Sequence, residues 1–209
     1  MLDLLLPLEC GGCGAPSTRW CDACANALRI GQDEPHLIAP RVDPGVPVFS
    51  LGRYAGARRN AVVAVKEHGR ADLIVPLGDA IRAGLVRLLQ WGVLDAPLTV
   101  VPAPTRTLAA RRRGGDPVTR MARAAVSGHG GATVVRALRM TALSRDSVGL
   151  SVAERHRNVA GRVRMRVPVA GEVLVVDDIV TTGATATEAV RVLQTSGARV
   201  VAVLALAHA

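Results

Sequence analysis

Aromatic residues and lysine are both scarce in this chain of 209 residues. Aromatic side chains make up 2% of it (Trp20, Phe49, Tyr54 and Trp91), and Lys66 is its only lysine. A hydrophobic core must therefore be aliphatic, and a nucleic-acid surface built on stacked aromatic rings is disfavoured. No apolar run reaches the roughly 18 residues that a membrane-spanning helix needs. We therefore expect no insertion into a membrane.

The charged residues are strongly biased toward arginine. Because Lys66 is the only lysine, 25 of the 26 basic residues are arginine, and 17 acidic residues leave a net charge of +9. This surplus favours anionic partners, either phosphorylated small molecules or nucleic acid. The first ten residues lack a basic leader and carry Asp3 and Glu9, which disfavours a signal peptide and predicts a cytoplasmic protein.

All four cysteines lie near the N-terminus, in two pairs of the form C-x2-C: Cys10 with Cys13, and Cys21 with Cys24. Each pair can give two thiolates to a tetrahedral Zn²⁺, and four cysteine ligands leave no open position for chemistry, so we expect a structural metal site. An iron site of similar geometry remains open. Two disulfides would need an oxidising compartment, which the lack of a signal peptide disfavours.

A segment rich in proline and glycine separates the cysteines from the rest of the chain. We therefore predict a small metal-binding module with its linker at residues 1–45 and a second domain at residues 46–209. The second domain alternates short apolar strands with helices. The predicted strands include 98–101, 173–176 and 200–206, and the predicted helices include 57–68, 118–126 and 186–195. Continuous apolar strands separated by helices predict an α/β fold with a parallel sheet covered on both faces.

The most specific motif follows the apolar strand 173–176. It holds two carboxylates, Asp177 and Asp178, and then Thr181, Thr182, Gly183, Ala184 and Thr185 at a helix start. Ligands of open parallel sheets bind beyond the carboxyl ends of the strands, where carboxylates can accept from a sugar diol or hold Mg²⁺ through water. Backbone N–H groups at a helix start suit a phosphate, and a glycine permits its close approach. Together these features predict a pocket for ribose 5-phosphate. Carboxylates turned inward, or a helix start sealed beneath other segments, would overturn it.

This motif resembles the binding motif for phosphoribosyl pyrophosphate (PRPP) of type I phosphoribosyltransferases, and the resemblance implies that PRPP binds with Mg²⁺. Pro102, Ala103 and Pro104 resemble the loop that holds pyrophosphate in that family, and Arg106 follows with Arg111 to Arg113. Guanidinium groups suit bidentate contacts with phosphate. The family often has a lysine followed by glycine near the position of Lys66, although a solvated lysine is equally expected there. No P-loop lysine and no G-x-G-x-x-G motif is present, which disfavours NTPases and dinucleotide-binding proteins.

Four N-terminal cysteines joined to a PRPP motif resemble the ComF family of bacterial proteins, which are linked to competence and the use of external DNA. The stretch from Arg145 to Val159 also resembles that family. Two differences concern the chemistry: Arg113-Gly114-Gly115-Asp116-Pro117 stands where the family usually has Arg-Gly-Phe-Asn-Gln in a flap over the site, and Ser147 stands where it usually has Gln.

Two functions are consistent with these observations. The first is a Mg²⁺-dependent phosphoribosyltransferase-like protein whose acceptor the sequence does not identify. The alternative is a non-catalytic protein that binds single-stranded DNA or a DNA-uptake helicase and keeps the PRPP pocket as a relic or sensor. Arginines that neutralise backbone phosphates would make such DNA binding sensitive to salt.

Overall fold

A computed structural model describes residues 8–105, 115–128, 130–141 and 161–209. Arg106, Arg111 to Arg113 and the 145–159 stretch, which the sequence singled out, lie outside the described residues. Within those ranges, no helix combines the length and the apolar character needed to cross a bilayer.

Five α-helices and eight strands make up the regular structure of the described residues. The helices are α1 (Asp22–Leu28), α2 (Gly56–Glu67), α3 (Ile74–Gln90), α4 (Pro117–Val126) and α5 (Ala184–Thr195), with a 3₁₀ turn at Ala71–Leu73. The strands are β1 (His36–Ile38), β2 (Val48–Ser50), β3 (Leu98–Pro102), β4 (Ala132–Val134), β5 (Leu138–Met140), β6 (Val163–Met165), β7 (Glu172–Val180) and β8 (Arg199–His208).

Six strands form one sheet in the order β1-β2-β8-β7-β3-β4. Strand β1 pairs antiparallel with β2, and all other neighbours in this sheet are parallel. The predicted α/β fold with a mainly parallel sheet is therefore confirmed. Strands β5 and β6 form a separate antiparallel pair that the sequence pattern did not reveal.

The alternation of side chains along β7 explains why its residues 173–176 form a continuous apolar run. Leu174 and Val176 pack with helices α2, α3 and α4 on one face of the sheet. Val173 and Val175 pack with α5 on the other face. Because successive side chains point to opposite faces and both faces are covered, every position of the run must be apolar.

The segment predicted as a linker is tied to the sheet. Strand β1 lies within it, and Leu37 is the partner of Phe49 in β2. Strand β7 lies in the middle of the sheet, between β8 and β3, so its carboxyl end is flanked by those of both neighbours. The candidate site is at this edge.

Candidate functional site

The two carboxylates of the motif lie inside β7 and not beyond it. The strand continues to Val180, and Asp177 is the partner of Ala205 in β8. Asp177 is 8% exposed and Asp178 is 4% exposed. Pairing with β8 thus extends the strand past the apolar run, and both carboxylates are buried near the carboxyl edge of the sheet.

Lys66 in the last turn of α2 is the counterion of this pair. Its Nζ lies 2.8 Å from Asp178 Oδ2. Burial opposes the charge of Lys66, but the neighbouring Asp178 carboxylate outweighs that effect and raises the pKa of the lysine above its usual value. Asp178 Oδ2 is therefore already in contact with one cation, the ammonium group of Lys66.

Asp177 differs from its neighbour in its ionisation. Its Oδ1 accepts a hydrogen bond from the backbone N–H of Asp178 over 2.8 Å. Burial, followed by the negative charge of Asp178, raises the pKa of Asp177 to about 8, although Lys66 acts in the opposite direction. At neutral pH the pair therefore holds one proton and one negative charge, and Lys66 balances that charge. A divalent cation at the pair would displace the proton.

The turn after β7 is only partly open to solvent. Thr181 is exposed and Thr185 is half-buried, whereas Thr182, Gly183 and Ala184 are buried. Gly183 precedes α5 with φ = 87°, in the left-handed region that favours glycine. The backbone therefore makes the predicted sharp turn into a helix.

Residues Pro40 to Val42, which we call the linker strap, cover one side of this turn. The N–H of Val42 donates to the carbonyl of Thr182 over 2.8 Å. The Thr187 hydroxyl donates to the carbonyl of Val42 over 3.2 Å. A Cβ atom at Gly183 would overlap with Val42 O and with Pro40. Glycine is therefore required here by the chain itself, and the start of α5 is not freely open to a ligand on this side.

The predicted pyrophosphate loop lies beside the acid pair. Pro102 at the end of β3 is the partner of Val176, and the N–H of Ala103 donates to the carbonyl of Val176 over 2.8 Å. Pro102 and Pro104 have no N–H, and the N–H of Ala103 is already donated to Val176, so any anion bound here must be held by other segments.

Asp116, which belongs to the stretch that departs from the ComF pattern, begins helix α4. Its Oδ1 accepts from the N–H of Val118 over 3.2 Å and from the Thr105 hydroxyl over 3.0 Å. Its Oδ2 accepts from the Thr119 hydroxyl over 2.5 Å. Aspartate is a favoured N-cap because it satisfies N–H groups of the first helical turn. This residue therefore anchors α4 and also ties the loop after β3 to it.

The four cysteines lie together as the spacing predicted. Their Sγ atoms are all within 4.8 Å of one another, and Cys21 Sγ lies 3.6 Å from those of both Cys10 and Cys13. Zinc–sulfur bonds of 2.3 Å in a tetrahedron place sulfurs about 3.8 Å apart. The four thiols are free and the set could bind zinc.

Backbone N–H groups favour the thiolate at one of these cysteines. The N–H groups of Gly12 and Cys21 lie 3.5 and 3.4 Å from Cys10 Sγ. Burial opposes ionisation, but the backbone hydrogen bonds outweigh it and lower the pKa of Cys10 to about 6. Burial and the neighbouring sulfurs raise the pKa of Cys24. A set that holds at least one thiolate before metal arrives suits a divalent cation.

The cysteine segment is docked on the same helix that carries Lys66. The amide of Asn60 in α2 donates to the carbonyl of Gly12 over 2.7 Å. Just beyond α2, Arg70 donates to the carbonyls of Glu9 and Arg19 over 3.1 and 3.2 Å. The cysteine cluster and the acid pair therefore share a structural support.

Two features of the site were not established by the sequence. One is the ion pair between Lys66 and Asp178, because the sequence did not distinguish a functional Lys66 from a solvated one. The available signal was that Lys66 is the only lysine in the sequence. The other is the linker strap, whose proline-rich composition indicates only a connection. The predicted roles of Asp177, Asp178, the 181–185 turn and Pro102 to Pro104 remain predictions, and Arg106 lies outside the described residues.

No family model matches the chain, and no curated protein sequence matches it. Among solved structures, UMP synthase from Leishmania donovani is similar, with a TM-score of 0.40 and 14% sequence identity. The similarity covers 89% of this chain but only 31% of that protein, so this chain spans less than a third of its length. A likeness of this degree establishes no shared activity.

Proposed function

We propose that this chain binds a ribose 5-phosphate compound, with PRPP and Mg²⁺ as the leading candidates, at the carboxyl end of β7. The observation that carries the proposal is the buried pair Asp177 and Asp178 with a single counterion, Lys66. Two buried carboxylates that share one lysine are costly for folding, and such perturbed groups concentrate at functional sites.

Each part of the site has a role in this proposal. The two carboxylates orient the ribose hydroxyls and hold Mg²⁺ through water. Thr181 and Thr185, the accessible hydroxyls of the turn, bind the 5-phosphate together with N–H groups at the start of α5. Pro102, Ala103 and Pro104 lie on the pyrophosphate side, where Arg106 and Mg²⁺ supply positive charge.

The linker strap limits how a phosphate can reach the start of α5. A phosphate that contacts the N–H groups of Gly183 and Ala184 must share that space with Val42, whose N–H and carbonyl both bond to the turn region. We therefore expect the strap to shift when the ligand binds. The shift would break these two hydrogen bonds and so reduce the affinity.

If the protein turns PRPP over, the reaction follows from these contacts. The bond from C1 of the ribose to pyrophosphate breaks, and a nitrogen of the acceptor forms a new bond to C1. Positive charge fixed beside the departing pyrophosphate stabilises the transition state. We further propose that the four cysteines hold a structural zinc and that the protein belongs to the competence-linked ComF type, as its motifs suggest.

Calorimetric titration with PRPP and Mg²⁺ tests the binding proposal. Wild type should bind, and the double variant Asp177→Asn with Asp178→Asn should not. Glu188→Gln is a matched control, because Glu188 is equally buried but pairs with Arg191 on α5. Binding that survives in the double variant would contradict the proposal. A pyrophosphate-release assay with a panel of nitrogenous bases then tests turnover.

The alternative predicted above, single-stranded DNA or a DNA-uptake helicase as partner, is supported by the net charge of +9. Binding of an oligonucleotide that weakens steeply with salt, together with no heat of PRPP binding, would favour that alternative.

A further inference from the structure

Besides Lys66, a group of arginines lies at the same edge of the sheet as the acid pair Asp177 and Asp178. It comprises Arg53, Arg58 and Arg59, in the loop after β2 and the first turns of α2, and we call it the arginine patch. Arg53 forms an isolated bridge with His208 at the end of β8. His208 is in turn the partner of Val180 in β7. The patch is therefore one strand away from the end of the strand that carries the acid pair.

Arg58 is the most unusual member of the patch. Its side chain is half-buried, and its guanidinium packs so closely on Gly52 that a Cβ there would overlap it. Its Nε is buried and has no hydrogen-bond partner. Burial lowers the pKa of Arg58 and nearby Glu34 opposes that effect. The Glu34 carboxylate, however, is already occupied by the N–H of Gly31 at 2.7 Å and by His36 at 3.4 Å. Among the residues that the structure describes, no carboxylate forms an ion pair with Arg58.

Few negative charges face the patch. Glu34 is the carboxylate that acts on Arg58, and the first turn of α2 holds no acidic residue. Burial and then repulsion from Arg53 lower the pKa of His208, whose Nδ1 lies 2.9 Å from the buried Ser50 hydroxyl. The neutral imidazole therefore adds no negative charge beside the arginines.

The patch is linked to the acid pair through Tyr54. The Arg59 guanidinium lies 6.0 Å from the centre of the Tyr54 ring. Tyr54 packs against the same apolar core as Val62 and Val65, which lie in α2 with Lys66. Arg59 and Lys66 are seven residues apart in α2, on one side of the helix and separated by about 10 Å along its axis. A small molecule held at the patch can therefore extend toward the acid pair.

We propose that the arginine patch is a second anion site, which binds a phosphate monoester carried by the acceptor substrate. Guanidinium groups bind phosphate oxygens in pairs, and a dianion would supply the missing counterion of Arg58. A small phosphate monoester fits better than nucleic acid, because the patch spans one loop and the start of one helix, and Arg59 already covers the ring of Tyr54. Sequence-tolerant binding of single strands uses long grooves and free aromatic faces. The assignment of the ligand as acceptor rests on the proposed function, whereas the anion site itself does not.

Calorimetry on the full chain tests this with inorganic phosphate and adenosine 5′-monophosphate as probes, each titrated without ribose 5-phosphate, which as a phosphate monoester would itself compete for the patch. The variant Arg58→Gln with Arg59→Gln should weaken binding of both probes about tenfold or more. Arg53→Gln, an exposed position that should not affect folding, should weaken it in the same direction. Arg87→Gln is the matched control, because Arg87 also lies over an aromatic ring, 5.9 Å from Trp91, but on α3. It should bind both probes like wild type.

Three results would overturn the inference: no binding of either probe to wild type, equal binding by wild type and the arginine variants, or patch-dependent binding of a thymidine oligonucleotide without binding of the monoesters. Ribose 5-phosphate titrated into the variant Arg58→Gln with Arg59→Gln separates this inference from the proposed function. If it fails to bind this variant while phosphate binds wild type through the arginines, the proposed function fails and the patch stands. If it binds this variant and the patch variants bind phosphate like wild type, only the patch fails.

Discussion

Replacing Asp177 with asparagine should make the protein more stable at alkaline pH. Burial and the charge of Asp178 raise the pKa of this carboxyl from 3.8 to about 8. A carboxyl whose pKa is higher in the folded than in the unfolded state binds its proton more tightly when folded. Stability is therefore lost as the pH rises from the ordinary carboxyl range to about 8.

The size of the effect follows from the protonation of the two states. Between pH 5 and pH 8, Asp177 is mostly protonated in the folded chain and ionised in the unfolded chain. One pKa unit corresponds to about 1.4 kcal/mol. Relative to Asp177→Asn, the wild type should therefore lose about 3 to 4 kcal/mol of unfolding free energy across this range.

Urea unfolding of both proteins at pH 5, 6, 7 and 8, without Mg²⁺, measures this difference, and other titrating groups cancel in the comparison. Glu188→Gln is a control of opposite sign, because the hydrogen bond from Arg191, which outweighs burial, lowers the pKa of Glu188. Wild type should have a higher free energy of unfolding than Glu188→Gln at neutral pH. This difference should be lost as the pH falls through the acid range. A difference between wild type and Asp177→Asn that stays constant from pH 5 to pH 8 would refute the burial argument.

Three further predictions concern Lys66, the N-cap of α4 and the cysteine cluster. Lys66→Met removes the counterion of Asp178 and should cost about 3 kcal/mol of unfolding free energy, as urea unfolding would show; an unchanged value would contradict the ion pair. Asp116→Ala removes the N-cap of α4 and should cost about 1 kcal/mol, measured as a lower Tm; an unchanged Tm would contradict the capping role. Purified protein should contain one zinc per chain by elemental analysis, and a strong chelator should lower the Tm, whereas Cys13→Ser should abolish both the metal and the effect of the chelator.

The bounds of two elements could be predicted to within one residue from the sequence. Helix α4 was expected at 118–126 and is Pro117–Val126, and β3 was expected at 98–101 and is Leu98–Pro102. In both, the local pattern of apolar residues agrees with the packing. Strands β5 and β6 were missed because they have only three residues each and are held by one another, not by local preference.

The candidate site likewise combines residues that could be predicted from the sequence with features that could not. The acidic residues, the turn and the cysteines could be selected from residue type and spacing. The end of β7 could not, because aspartates are poor strand formers and only pairing with β8 carries the strand to Val180. The linker strap and the ion pair of Lys66 are contacts between segments distant in the sequence, since Val42 and Thr182 are 140 positions apart and Lys66 and Asp178 are 112 positions apart. No local pattern encodes such contacts.

The most direct test of the central claim is a titration of ¹⁵N-labelled protein with ribose 5-phosphate and Mg²⁺, followed by the backbone amide resonances. The account predicts that the amides of Gly183 and Ala184 shift as the phosphate binds, and that Val42 shifts with them as the strap moves. Saturation with those three amides unchanged, or shifts confined to other parts of the chain, would contradict a ribose-phosphate site at the end of β7.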